Sequence, residues 1–139
     1  MNDKYRKLIF SNQSRPLSTV PFHRAVPCIE RSCPENFPVH IAVHKICDAV
    51  NVAEYTSLHS HPMHELNIVL GDDGALEYEV HLGDEKYTVG ANSSIWIPGG
   101  LPHSTNVVRG SGYYIVVRFD KIPAEFARLP TGTPGIGGT

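Results

Sequence analysis

The sequence predicts an all-β fold, a sandwich or a barrel built as a single domain. Its 139 residues are the length of one ordinary domain. Hydrophobic residues make up 41% of the chain and charged residues 19%, which provides enough apolar side chain for a core and too little charge for a disordered chain. Short runs of alternating, β-branched or aromatic residues recur, and they are separated by turns of Gly, Pro, Asn or Asp. This spacing is typical of all-β sandwiches and barrels.

The central part of the chain, residues 39–122, is predicted to form the barrel. Its predicted strands are, in order, 39–47, 54–61, 65–71, 75–82, 85–90, 93–98, 103–108 and 113–119. The fourth and fifth of them flank a Gly-Asp turn and are predicted to form a hairpin. The last strand, YYIVVRF, has the most strand-like composition in the chain, and the RGSG before it is predicted to separate it from the preceding strand.

The two ends of the chain have a different composition. Residues 1–38 are predicted to form an extended N-terminal arm, because prolines recur there too often for a helix or a central strand. The arm could contribute one edge or dimer strand near 24–29. Residues 123–139 are predicted to form a short helix over 123–129, with Pro123 in its first turn, and then a flexible Gly/Pro-rich tail.

Composition also excludes several classes of protein. The formal net charge is −2 and no basic stripe is visible, so we expect no nucleic-acid partner. No apolar run reaches the length of a membrane span and no signal peptide is recognisable, so we expect a cytoplasmic protein without a membrane partner. Cys28, Cys33 and Cys47 are odd in number and form no close pair, which indicates reduced thiols.

A histidine-rich stretch, LHSHPMHELNIVLG at residues 58–71, stands directly before an apolar run. In a strand, His59 and His61 point to the same side, and Glu65 can return to that side after the turn at Pro62. Two imidazoles and a carboxylate on one wall form a borderline-to-hard metal site, and His103 is the best candidate to complete it. We expect His64 to face solvent or to support the ligands.

These residues resemble the cupin superfamily. His59 to Glu65 match the HxHxxxE centre of the first cupin motif, and residues 98–103 match the PxGxxH centre of the second. Both centres occur in the right order, and the resemblance covers about residues 39–120. The sequence departs from the family at turns and flanks, namely at Ala53, Gly71, Asn92 and Asn106.

The resemblance implies a jelly-roll barrel that holds one divalent metal ion per subunit. The implied ligands are His59, His61, Glu65 and His103, with Fe(II) favoured and Zn, Ni, Mn or Co as alternatives. It also implies an enzyme acting on a small polar molecule, often a carboxylate or an enol, with a preference for dioxygenase-type chemistry. A metal-dependent lyase, isomerase or cyclase is an alternative, as is a non-catalytic binding or sensor protein. Members of this family commonly form homodimers, which we also expect here.

Further residues are candidates for the pocket around the metal. Asn67 shares the strand face of Glu65, and Tyr55 shares the predicted face of His59. Arg118 could bind a substrate carboxylate through its two-pronged guanidinium, although a surface position is the alternative. His40 and His44 lie on one face of their strand and could line the mouth of the barrel or face a partner subunit.

Overall fold

A computed structural model describes residues 4–135 of the chain. The last residues of the predicted tail, 136–139, and residues 1–3 of the arm lie outside the described part. The strands are β1 Asn12–Ser14, β2 Ile29–Pro34, β3 His40–Ala49, β4 His64–Leu70, β5 Leu76–Leu82, β6 Glu85–Gly90, β7 Ser93–Ile97 and β8 His103–Phe119. One short helix, α1 Ala124–Ala127, and two 3-10 turns, Arg6–Leu8 and Leu17–Thr19, complete the secondary structure of residues 4–135. The predicted all-β fold is confirmed.

The strands form one antiparallel sheet organised around β8. The order β1-β2-β3-β8-β4-β7 forms the main path, while β5 pairs with both β6 and β8. The first half of β8 pairs with β5, and its second half lies between β3 and β4. A single long strand therefore links the hairpin of β5 and β6 to the rest of the sheet.

The prediction that RGSG separates two strands is wrong, because β8 runs through it without a break. Gly110 lies where β8 passes from pairing with β5 to pairing with β3, and its φ of +101° is a conformation that side chains with a Cβ rarely adopt. A Cβ atom there would lie 1.8 Å from the backbone oxygen of Ala75. Glycine lets the strand bend and pass close to its neighbour, and it does not end the strand.

The predicted strand 54–61 is also wrong. This segment makes only isolated bridges, between Thr56 and His23 and between His59 and His103. The side chain of Asn106 replaces the missing strand partner: its Oδ1 accepts the N–H groups of Tyr55 and Thr56 at 2.9 Å each, and its Nδ2 donates to the Thr56 carbonyl at 3.2 Å. The departure from the family motif at Asn106 therefore has a structural role.

Part of the N-terminal arm belongs to the sheet. The strand expected near 24–29 lies instead at β2, where it pairs with β3, and β1 adds an outer strand. In this register Arg31 lies directly opposite His44. The predicted helix over 123–129 is reduced to the four residues of α1.

The interior changes in character along the strands. One cross-strand row joins Glu65, Arg118 and His40, whereas apolar side chains such as Ile46, Val69 and Leu76 are buried further along. Polar groups therefore collect toward one end of the barrel interior, above an apolar core. Within residues 4–135, no helix has the length and apolarity needed to cross a membrane.

Candidate metal centre

Three histidines converge at the polar end of the interior. One nitrogen from each of His59, His61 and His103 lies within 4.8 Å of the other two. His103 is the first residue of β8, and paired backbone hydrogen bonds of 3.1 and 2.8 Å hold His59 beside it. The HxH spacing brings His61 to the same point from the following loop. The three residues could hold a metal ion.

Each of these imidazoles is oriented by a hydrogen bond through Nδ1. The acceptors are backbone carbonyls: Ser57 for His59 at 2.7 Å, Met63 for His61 at 2.9 Å and Leu101 for His103 at 2.8 Å. Since a carbonyl can only accept, each Nδ1 carries the hydrogen and each neutral ring is left with a free lone pair on Nε2. This arrangement is typical of metal-ligating histidines.

The Nε2 atom of His103 tests whether a metal fits this site. It is buried and has no hydrogen-bond partner among the described residues. Burial lowers the pKa of His103, against the opposing effects of the Leu101 carbonyl and Glu65, so the ring is held in the neutral form that binds metals. A buried lone pair without a donor indicates a missing partner, and a divalent cation would satisfy it.

Glu65 lies beside two of the three histidines, although its carboxylate is not part of the cluster within 4.8 Å. Its Oε1 lies 3.0 Å from Nε2 of His61 and 3.8 Å from Nε2 of His103. If both the carboxylate and the Nε2 of His61 are unprotonated, two acceptors meet at 3.0 Å, and a proton or a cation between them is required. Burial raises the pKa of Glu65, but hydrogen bonds from Asn67 and Arg118 and the charge of Arg118 bring it below its ordinary value. The carboxylate is therefore ionised at neutral pH.

A chain of hydrogen bonds holds this carboxylate in place. Nε of Arg118 donates to Oε1 at 2.9 Å, and Nδ2 of Asn67 donates to Oε2 at 2.8 Å. The hydroxyl of Tyr114, which is fully buried, donates to Oδ1 of Asn67. Asn67 thus holds the carboxylate of Glu65 in place and is itself held by Tyr114.

Comparison with known proteins identifies the fold. No protein-family profile and no curated protein matches the chain. Among solved structures, an RmlC-like cupin from Shewanella frigidimarina is 13% identical and matches with a TM-score of 0.50, covering 78% of this chain and 91% of that one. The chain has the cupin fold.

Two further solved structures share this cupin fold. The Fe(II) form of HppE is 18% identical with a TM-score of 0.54, over 78% of this chain and 57% of that one. The DMSP lyase DddQ from Ruegeria pomeroyi is 18% identical with a TM-score of 0.53, over 77% of this chain and 55% of that one. This chain thus spans little more than half the length of these two proteins. At such identities the likeness concerns the fold alone.

Some of the remaining predicted residues line the cupin pocket, which is the cavity in the barrel interior that His59, Glu65 and His103 also line. Tyr55 lines the same pocket, but its hydroxyl accepts the N–H of Val107 at 3.0 Å, and burial raises its pKa to about 12. Arg118 also lines the pocket, and its Nε donates a hydrogen bond to the carboxylate of Glu65. His64 lies outside the histidine cluster: its Nδ1 accepts the N–H of Gly99 at 3.0 Å, and its ring stacks on exposed Trp96.

Two pocket residues did not emerge from the sequence. Arg31 and Thr56 are buried in the wall of the cupin pocket together with His59 and His103. Alternation along β2 would have placed Arg31 on the inward face of Ile29, but the Pro-rich surroundings concealed the strand. For His44 the sequence allowed two positions, at the mouth of the barrel or facing a partner subunit, and the structure places it in the pocket.

Proposed function

We propose that this chain is a mononuclear metal-dependent enzyme acting on a small polar molecule, with Fe(II) as its metal and oxygenase-type chemistry. One observation carries the proposal: three imidazoles converge on one point with every Nδ1 bonded to a carbonyl, and the Nε2 of His103 is buried without a partner. This arrangement supports a metal site more directly than a cluster of polar core residues, in which buried nitrogen atoms would be hydrogen-bonded to each other.

In this proposal His59, His61 and His103 bind the metal, and Glu65 is the fourth ligand. Four protein ligands leave one or two coordination positions for substrate, as catalytic sites require. A divalent metal held here would supply Lewis acidity, and Fe(II) would add reactivity toward dioxygen. The chain's own contribution is to keep Glu65 ionised and oriented through Arg118.

The size of the pocket restricts the substrate. Its cavity volume is about 30 Å³, which is room for about two waters. The walls carry arginine, histidine, threonine and tyrosine side chains. A small polar substrate fits this pocket better than a large apolar one.

The first test is the metal content of protein prepared without a chelating tag and reloaded anaerobically. We expect about one metal ion per chain in the wild type and a large loss in His61→Ala. His64→Ala is the matched control, because His64 lies in the same stretch but outside the cluster, and it should keep the metal. Equal trace metal in the wild type and His61→Ala would refute the metal site.

The second test separates the reaction types. The names of the similar structures include an Fe(II) protein and a lyase, so the fold itself does not select the chemistry. Oxygen consumption by the Fe(II)-loaded protein with small hydroxy acids, keto acids and enols should depend on substrate if the enzyme is an oxygenase. Turnover without oxygen uptake would instead support the lyase, isomerase or cyclase alternative.

The homodimer and the cytoplasmic location stay predictions. Size-exclusion chromatography with light scattering checks the first, and an entirely monomeric protein would contradict it. Fractionation of the native host checks the second.

A further inference from the structure

Arg31 is a buried cation that contacts no anion among the described residues. The residue is 9% exposed, and its Nη1 donates to the backbone oxygen of Arg15 at 3.1 Å. Among residues 4–135, no Asp or Glu oxygen lies within 4.0 Å of its guanidinium. Burial lowers the pKa of Arg31 and the charge of Arg118 lowers it further, yet a guanidinium does not deprotonate in proteins. A charge buried in this way is costly unless an anion accompanies it.

Two other polar residues of the pocket, His44 and Thr56, have unpaired buried atoms as well. His44 lies opposite Arg31 in the register of β2 and β3, is 6% exposed, and its buried Nδ1 has no hydrogen-bond partner among the described residues. The buried Oγ1 of Thr56 also lacks a partner within residues 4–135. All three residues line the pocket that His59 and His103 also line. Since buried polar atoms in native proteins are nearly always paired, this group indicates a bound ligand.

The carboxylate already in the pocket does not neutralise Arg31. Glu65 is bonded to Arg118 and Asn67. Ala42 and Val116, which face each other across β3 and β8 in the pocket wall, carry no polar side-chain atom that could accompany the charge. An additional small anion therefore has a reason to enter the pocket.

We propose that Arg31, His44 and Thr56 form a binding site for an oxyanionic group, a carboxylate or a phosphoryl-type group, that belongs to the substrate. Calling this group part of the substrate rests on the proposed function. The guanidinium offers a planar two-pronged donor, and the Thr56 hydroxyl and the His44 ring can each donate one further hydrogen bond. Because His59, Glu65 and His103 line the same pocket, the substrate would be a small molecule with an anionic group at one end and a metal-facing group at the other.

The test is a titration of metal-free protein, prepared with a chelator, with anions at constant ionic strength. Binding is monitored by NMR. Acetate and inorganic phosphate are the two probes, because they separate a carboxylate site from a phosphoryl site. We expect at least one of them to bind the wild type and to shift the arginine side-chain signals. Its affinity should fall at least tenfold in Arg31→Gln and partly recover in Arg31→Lys. Arg15→Gln is the matched control, since Arg15 is half-exposed and paired with Glu35 outside the pocket, and it should bind like the wild type.

Two results would overturn the proposal. One is that neither acetate nor phosphate binds the wild type in metal-free or zinc-loaded form; the other is that Arg31→Gln, folded by circular dichroism, binds them with wild-type affinity. If Arg31→Gln does not fold, Arg31→Lys and Thr56→Val decide, and wild-type affinity in both would equally count against the site. Elemental analysis of the zinc-loaded samples keeps the two proposals apart. A wild-type protein that takes up no zinc would contradict the proposed metal site, whereas the anion titration of the chelator-treated protein is read without metal.

Discussion

Arg118 and Glu65 face each other across β8 and β4, and the guanidinium Nε donates to the carboxylate oxygen that also faces His61. One oxygen thus lies 2.9 Å from an arginine nitrogen and 3.0 Å from an imidazole nitrogen. Arg118 has two effects on the proposed metal. It keeps the carboxylate ionised and oriented, and it places a positive charge near the position where a cation would bind.

These two effects lead to a prediction for Arg118→Met. Removing the guanidinium takes away a hydrogen bond and the positive charge beside the buried carboxylate of Glu65. The free energy of unfolding of the metal-free protein should therefore fall by about 2 kcal/mol. Addition of zinc should then raise the melting temperature by more in this variant than in the wild type, since the cation replaces the missing charge.

The control for this experiment is Arg109→Met. Arg109 pairs with Glu77 at 3.4 Å on the exposed side of the barrel, and loss of such a surface pair should cost less than about 1 kcal/mol. A zinc-induced shift in Arg118→Met that is no larger than in the wild type would show that Arg118 does not compete with the metal. Both quantities are measured by thermal unfolding with and without zinc.

Asn106, which lies on β8, positions the irregular segment that carries His59 and His61. Its side chain supplies the hydrogen bonds that hold Tyr55 and Thr56 against β8. We expect Asn106→Ala to lower the affinity for zinc by about tenfold or more, as loss of supporting residues around metal sites generally does. Asn106→Asp keeps the oxygen acceptor and should give an intermediate affinity. Competition titration with a chromogenic chelator measures all three proteins, and an unchanged affinity in Asn106→Ala would rule out this positioning role.

Gly110 is predicted to be essential for the long strand β8. In Gly110→Ala the new Cβ would overlap the Ala75 backbone oxygen, and the positive φ adds strain, so we expect a loss beyond about 3 kcal/mol or no folded protein. Gly90→Ala is the control, because a Cβ at Gly90 meets no atom within 4 Å, and it should change stability by less than about 1 kcal/mol. Urea unfolding compares the variants, and a stable Gly110→Ala protein would mean that β8 bends elsewhere.

This glycine also shows how far the sequence could predict the fold. The hairpin of β5 and β6 was predicted nearly to the residue, because strict alternation and a Gly-Asp turn are local signals. RGSG has the composition of a turn, and only its approach to Ala75, far away in sequence, shows that the strand continues. Local composition cannot separate a bend from a turn when a distant neighbour decides between them.

The residues of the candidate site also differ in whether the sequence could identify them. The spacing of His59, His61 and His103 within two short motifs identified the cluster, because these motifs are local in sequence. Arg31 could not be identified, since its inward position depends on pairing with β3. The residues closest to the proposed metal were therefore accessible from sequence, as were Tyr55 and Arg118 on predicted strand faces, whereas Arg31 and Thr56 were not.

The last prediction concerns the pH dependence of stability, which His44 should dominate among the pocket histidines. Burial chiefly, together with the charges of Arg31 and His23 and against the opposing charge of Glu65, lowers the pKa of His44 to about 3. The ring also packs at 5.6 Å against Tyr114, which is uncharged when its hydroxyl is protonated. In the unfolded chain the same ring binds a proton near pH 6.5. Acidification therefore favours the unfolded state, and the stability present above pH 6.5 is lost progressively as the pH falls toward 3.

The expected size of this effect is about 2 kcal/mol between pH 7 and pH 5, from the difference between the two pKa values. Urea unfolding of the chelator-treated protein at both pH values should show that His44→Gln loses less stability on acidification than the wild type, by about that amount. His81→Gln, a histidine on β5 outside the pocket, should keep the wild-type pH dependence. An equal loss of stability in His44→Gln and the wild type would mean that the folded protein accommodates a proton on His44, so that this ring is not held neutral beside Arg31.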